Sequence, residues 1–328
     1  MEKNKLKNKE KAPKNRTLVV TQEEMDLYSS RILFAEELSN RNSFLSQDEF
    51  LNKTICGDLF KVLNKLPEGF ADLLVIDPPY NLSKNFGEIK FSRKSNGAYE
   101  EYLEKWFPSV VKLLKPTGSV YICGDWKSTS ALFNIMDQYT ILRNRIIWQR
   151  EKGRGAKMNW KNSCEDIWFG TMSENYYFDL DSVKQKRRVL APYRKDGQPK
   201  DWQKTEEGEF RLTCPGNFWD DISVPFWSMA ENTDHPTQKP EKLIAKLILA
   251  SCPVDGIVVD PFLGSGTTSV VAKKLGRRYL GIEYNKEYCV WAEKRLDLAE
   301  NNKEIQGYSK GVFWERNTLI EQKKNKVT

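Results

Sequence analysis

Residues 258–285, VVDPFLGSGTTSVVAKKLGRRYLGIEYN, constrain the fold more than any other stretch of the chain. An apolar strand runs out at an acid, a glycine turn follows, a helix begins near Thr267, and a second strand ends at Glu283. The same alternation recurs earlier. A strand at Lys53–Cys56 leads to GDLFKVLNKLPEGF, a short helix and a turn, and then to the strand Asp72–Ile76. A helix from Ala98 to Leu114 stops at KPTG, and SVYICGD reads as another buried strand. Pro240–Ser251 and KEYCVWAEKRLDLAE read as helices. Residues 21–50 also read as helical, with Thr21 and Glu24 forming a capping box. Strands alternating with helices imply an α/β fold with a mainly parallel sheet. Only residues 150–234 lose the pattern, so one α/β domain is read as interrupted by an irregular insert.

At 328 residues, 39% of them apolar, the chain can bury a large core. No apolar run approaches the roughly 18 residues that span a bilayer, and the first sixteen residues lack the apolar core of a signal peptide. A cytoplasmic protein is the reading. The six cysteines are scattered with no C-x-x-C pair, and the chain has one histidine. A structural zinc site and a Ser-His-Asp site away from His235 are thereby excluded, and reduced thiols are expected. Of the net charge of +7, residues 1–16 carry seven Lys or Arg against two Glu. Residues 1–20 are read as a basic disordered tail, able to add salt-sensitive affinity for nucleic acid.

Near residue 75 the sequence ADLLVIDPPYNLSKNFG ends an apolar strand on Asp77-Pro78-Pro79-Tyr80. Gly, Asn or Ser would turn the chain without stiffness. Two prolines fix φ instead and hold a carboxylate and an aromatic ring in one place.

The loop after Asp260 has a second constellation. Gly264 and Gly266 allow a ligand to approach the backbone at the start of a helix. Glu283, nineteen residues past Gly264, is placed to accept hydrogen bonds from ribose hydroxyls. The pair marks a nucleoside-containing cofactor. No lysine follows Gly266, which excludes a P-loop, and Ser269 stands where a dinucleotide fingerprint wants Gly or Ala. A carboxylate at Asp260 would repel a polyphosphate but suits a ligand with an amine and a sulfonium, as in S-adenosylmethionine. A purely structural glycine turn is the alternative.

Taken together, D-P-P-Y at 77–80, H-P-T-Q-K-P at 235–240 and D-P-F-L-G-S-G-T-T at 260–268 resemble the signature motifs of DNA amino-methyltransferases. Their order is similar to the beta arrangement of that family, most like the adenine-specific enzymes of type II restriction-modification systems. The resemblance spans roughly residues 53–300. It implies a Rossmann-like fold dependent on S-adenosylmethionine. It also implies a catalytic half (53–150), a target-recognition insert (151–234) and a cofactor half (235–304), flanked by a helical segment (21–52) and a C-terminal extension (305–328). The resemblance makes Asp77, Pro78, Pro79 and Tyr80 catalytic. The Asp77 carboxylate and the Pro78 carbonyl would accept hydrogen bonds from an exocyclic amine and localise its lone pair. Tyr80 would stack on a base flipped from the duplex. For the cofactor it implies Asp260, Phe262, Gly264, Ser265, Gly266 and Thr267 in the loop. Glu283 falls at the ribose, Asp58 near the adenine, and His235, Thr237 and Lys239 at the methionine carboxylate. No Pro-Cys nucleophile for C5 methylation is present; TCPGN reverses the pair.

The expected substrate is duplex DNA, methylated at adenine N6. Cytosine N4 is the near alternative, since cytosine enzymes of the family more often carry Ser in place of Asp77. RNA methylation, a catalytically silent nucleic-acid binder and an NAD-dependent enzyme are the remaining alternatives. The resemblance also allows a cognate restriction endonuclease and a homodimer. KQKRRVLAPYRKDGQPK, with seven basic residues against one acid, is read as DNA-facing and REKGRGAK as a further basic stretch. Trp148, Trp160, Trp202 and Trp219 are candidates for stacking on DNA, with core packing the commoner role.

Overall fold

The apolar strands Ala71–Ile76 and Ile257–Asp260 lie side by side at the centre of a nine-stranded sheet. The structure, a computed structural model, describes residues 12–39, 41–82, 84–86, 89–150, 158–189, 193–205 and 208–315. In chain order the strands of this sheet are β1 (Leu33–Phe34), β2 (Lys53–Cys56), β3 (Ala71–Ile76), β4 (Leu114–Gly124), β5 (Ile141–Gln149), β6 (Cys164–Thr171), β7 (Phe218–Trp219), β8 (Ile257–Asp260) and β9 (Arg278–Glu283). Their spatial order is β1-β2-β9-β8-β3-β4-β6-β5-β7. Every neighbouring pair is parallel except β4 with β6 and β6 with β5.

Alternation along β3 shows why the centre is apolar on both sides. Leu74 and Ile76 enter a core with Tyr99, Trp106, Leu132 and Met136. Leu73 and Val75 enter the opposite core with Leu243, Leu247, Val271 and Leu296. Successive strand residues face opposite ways, so each face of the sheet must be covered by helices. The helices used below are α1 (Gln22–Ser29), α2 (Thr129–Tyr139), α3 (Glu241–Ser251), α4 (Thr267–Lys274) and α5 (Lys286–Asn301).

The connections fix the place of a ligand. From β8 the chain crosses through α4 to β9 on one side, and from β3 it crosses through Asn96–Glu104 and Phe107–Val111 to β4 on the other. The carboxyl ends of β8 and β3, paired through Val258↔Leu73 and Val259↔Leu74, therefore flank a topological switch point. Ligands of open α/β sheets bind at such a crevice.

Several sequence expectations need correction. The stretch 21–50 is not one helix: α1 ends at Ser29, β1 follows, and two short helices (Ala35–Ser39, Gln47–Phe50) complete it. The Thr21–Glu24 capping box does form. The helix expected over Ala98–Leu114 is two, broken between Glu104 and Phe107, and β4 already begins at Leu114. The region 151–234 is not uniformly irregular, because β6 and β7 belong to the central sheet. Gln185–Arg188, Gln203–Thr205 and Gly208–Thr213 join Tyr308–Ser309 and Val312–Trp314 in a separate five-stranded sheet. The insert and the C-terminal extension thus share one unit, sewn by the parallel pairing of Val312–Trp314 with Gln185–Arg188.

The tail reading fails for residues 12–20. The Arg16 amide donates to the Trp227 carbonyl at 2.6 Å and the Leu18 amide to Asn232 at 2.8 Å, which ties this segment to the chain before His235. Residues 1–11 lie outside the described residues, as does most of REKGRGAK. Trp148, Trp202 and Trp219 are buried, so packing accounts for them; Trp160 is 96% exposed. All six cysteines are free. No described helix is long and apolar enough to cross a membrane, and no cluster of metal-ligating side chains occurs among the described residues.

Candidate active site

The two rigid turns meet. Asp77 follows the last residue of β3 and Asp260 ends β8, and both face one cavity of about 420 Å³. That volume suits a small ligand bearing a nucleoside. Asp58, Pro78, Pro79, Tyr80, His235, Thr237, Lys239, Phe262, Gly264, Ser265, Thr267 and Glu283 line it as well. Of the residues expected at the catalytic turn or the cofactor, Gly266 alone is absent from the lining.

The glycine loop explains its own composition. Gly264 has φ +56°, and a Cβ there would meet His235 Nε2 at 3.0 Å. Gly266 has φ +89° and caps α4, with Ala292 of α5 so close that a Cβ would overlap its backbone. The acids beside the loop brace it. Asp260 accepts from the Phe262 amide and the Thr268 hydroxyl, and Glu283 accepts from the amides of Gly264 and Asn285, both at 2.8 Å. Burial lifts the Asp260 carboxyl to about 7 and raises that of Glu283. Asp58 caps the helix Leu59–Leu63 by accepting from Phe60 and Lys61 amides. His235 packs edge-on against Tyr288 at 4.6 Å and accepts from the Thr237 amide. Phe262 packs edge-on against Trp106.

On the other wall, four charged groups and a phenol interlock. Lys239 Nζ donates to Asp77 Oδ2 at 2.6 Å and to Tyr80 Oη at 3.0 Å. Tyr80 Oη donates to Glu165 Oε2 at 3.0 Å, and Lys239 stands 3.4 Å from the same oxygen. The second oxygen of Glu165 accepts from Arg150 Nη1. Burial alone would lower the Lys239 pKa, but Asp77 and Glu165 outweigh it and the net shift is upward. Burial and the same two carboxylates push the Tyr80 phenol well up, so it is a neutral donor at physiological pH. Glu165 was not singled out from the sequence, and Arg150 only as the first residue of the basic stretch REKGRGAK.

Buried polar atoms on residues that line the cavity lack a hydrogen-bond partner, among them Asp77 Oδ1, Ser265 Oγ and Arg150 Nε. A buried acceptor without a partner costs about 1–3 kcal/mol, and a ligand N–H or O–H would remove that cost. The residues present therefore fit a ligand that donates to Asp77. The family model for N6- and N4-specific enzymes, described as DNA methylase, matches residues 71–294. The chain belongs to this family.

Relatives agree with the match. The type II methyltransferase M.HpaI of Haemophilus parainfluenzae is 33% identical over 252 residues, covering 76% of this chain and 75% of its own. The DNA adenine methyltransferase YhdJ of Escherichia coli is 35% identical over 258 residues, covering 76% and 84%. The solved structure of the PvuII DNA methyltransferase (cytosine-N4-specific) shares the fold, with a TM-score of 0.56 at 19% identity, over 76% of this chain and 92% of that one. This DNA methyltransferase is thus a beta-class amino-methyltransferase, most like restriction-modification enzymes, and S-adenosylmethionine is its methyl donor.

Proposed function

We propose that this methyltransferase modifies adenine N6 at a short duplex DNA site, on a base flipped into the cavity. The observation that carries the reading is Asp77 Oδ1, a buried acceptor with no partner, at the wall where the two motif loops meet. When bound, S-adenosylmethionine supplies an electrophilic methyl group. The chain's own residues prepare the nucleophile. Asp77 Oδ1 and the Pro78 carbonyl accept the two N–H groups of the exocyclic amine and draw its lone pair out of the ring. Lys239 at Oδ2 leaves Oδ1 as the acceptor, and Tyr80 offers its ring for stacking, worth roughly 1–3 kcal/mol.

For the cofactor, Gly264, Ser265, Gly266 and Thr267 provide the close backbone approach. Asp260 and Phe262 shape the loop, and His235 and Thr237 stand at the methionine end. Glu283 braces the loop yet keeps a second lone pair on each oxygen for ribose hydroxyls, and Asp58 stands at the adenine end. Adenine is supported by Asp77 in place of Ser and by the Escherichia coli relative named as an adenine enzyme. The five-stranded sheet, with Lys186, Arg188 and Lys204 among its strands, is the unit we assign to target recognition, paired with phosphate contacts. The type II relatives support a partner endonuclease that recognises the same sequence.

Labelled S-adenosylmethionine, offered with duplex DNA, single-stranded DNA or RNA and followed by nucleoside analysis, tests the reading. The expected product is N6-methyladenine in duplex DNA, with the rate cut on the order of 100–1000-fold in Asp77→Ala. N4-methylcytosine, or label confined to RNA, overturns the assigned target.

A further inference from the structure

We propose that Glu165 is a positioning residue for methyl transfer, acting as the sink that keeps two cations off the free oxygen of Asp77. It stands on β6, the antiparallel strand, far in sequence from both motif loops. Its side chain is 4% exposed, and both oxygens are engaged. One faces Lys239 and accepts from Tyr80; the other accepts from Arg150. The local charges balance: Lys239 and Arg150 against Asp77 and Glu165.

The balance has a functional edge. Arg150 lines the same cavity as Asp77, and Lys239 already touches Asp77 Oδ2. With the charge of Glu165 gone, two cations face a single carboxylate in a site that screens charge poorly. Asp77 Oδ1 is then their remaining acceptor, and the target amine loses its own. The same loss removes the carboxylate that accepts from the Tyr80 hydroxyl at 3.0 Å and loosens the ring meant to stack on the base. Glu165→Gln sharpens the conflict, because whichever way the amide is turned its NH2 group faces a cationic donor, Arg150 on one side or Lys239 on the other.

The inference rests on the proposed amine chemistry at Asp77, and its test separates the two. Single-turnover methyl transfer, S-adenosylmethionine affinity by calorimetry and thermal melting are measured for wild type, Glu165→Gln and Glu165→Asp. We expect kcat to fall on the order of 100-fold in Glu165→Gln, the scale of a misplaced reacting group, with cofactor affinity within about threefold of wild type. Glu165→Asp, which keeps the charge, recovers most of the rate. Equal losses in the two variants, an unchanged kcat in Glu165→Gln, a loss confined to cofactor affinity, or a Glu165→Gln protein without a melting transition each overturn it. Wild-type methylation of cytosine instead of adenine overturns the assigned target alone, and the Glu165 comparison is then read on that base.

Discussion

Replacing Gly266 by Ala tests the account of the glycine loop in numbers. The residue has φ +89°, where a side chain costs about 1–2 kcal/mol. An added Cβ would also lie 2.5 Å from Ala292 Cβ and 2.7 Å from Ala292 Cα. The second contact is backbone, so α5 itself must shift, and forced overpacking of this kind costs about 1–3 kcal/mol. The sum is about 2–5 kcal/mol. At roughly 2 °C per kcal/mol for a chain of this size, the melting temperature should fall about 4–10 °C. Gly276 supplies the control: its φ is +71°, and nothing lies within 4 Å of an added Cβ. Gly276→Ala should show the backbone cost alone. Denaturant unfolding of both variants, without cofactor, gives the two free energies directly. If Gly266→Ala costs no more than Gly276→Ala, the close approach of loop and α5 is not what demands glycine there.

Other substitutions test the electrostatics. Glu241 is buried and pairs with Arg295 at 3.0 Å and Lys274 at 2.6 Å; Glu241→Gln should cost about 3–5 kcal/mol in denaturant unfolding, because it strands buried cations. Asp260 has its carboxyl raised from 3.8 to about 7 by burial. Between those values the folded state holds a proton that the unfolded chain has released, so this group's contribution is full below pH 4 and is lost as pH rises through 7. Across pH 5–8 the cofactor-free wild type should lose more stability than Asp260→Asn, and equal slopes in melting experiments would refute the shift.

Much of the centre was legible because its signals are local. The strands β2, β3, β8 and β9 and the helices α3, α4 and α5 each announce themselves by an apolar run or a helical period between breakers. Their alternation implies the parallel sheet. The D-P-P-Y turn and the glycine loop are rigid devices of a few residues, so chemistry could be read from them before any contact was known. The five-stranded sheet was not legible for the opposite reason. Its strands are two to six residues long, and Val312–Trp314 pairs with a segment more than 120 residues earlier. No local period encodes such a partner. The helical reading of 21–50 erred because several acid-rich segments with capping residues each suit a single turn or two, and docking against the sheet and α5 breaks them apart.

Glu165 escaped notice on account of its neighbour. In NSCEDIWFGT two adjacent acids interrupt an apolar run, which makes a buried strand look like surface. Adjacent strand residues point to opposite faces, and here each face supplies its own cation. Glu165 meets Arg150 and Lys239, while Asp166 meets Arg145 at 2.8 Å. The register places Glu165 opposite Trp148 and Asp166 opposite Ile147, each within reach of an arginine two positions away, Arg150 just past the end of β5 and Arg145 within it. The usable signal was therefore a pair of strands, one spelling R-x-x-x-x-R as RIIWQR and the other E-D, whose charges match in the antiparallel register the sheet adopts. Burying two carboxylates in such a sheet, under arginines that stay partly exposed, is a poor way to gain stability, since an apolar replacement is often as good or better. The half of that arrangement around Asp166 packs the outer strands. The half around Glu165 opens onto the wall that presents Asp77 Oδ1, and there the same costly burial sets which acceptor the target amine finds.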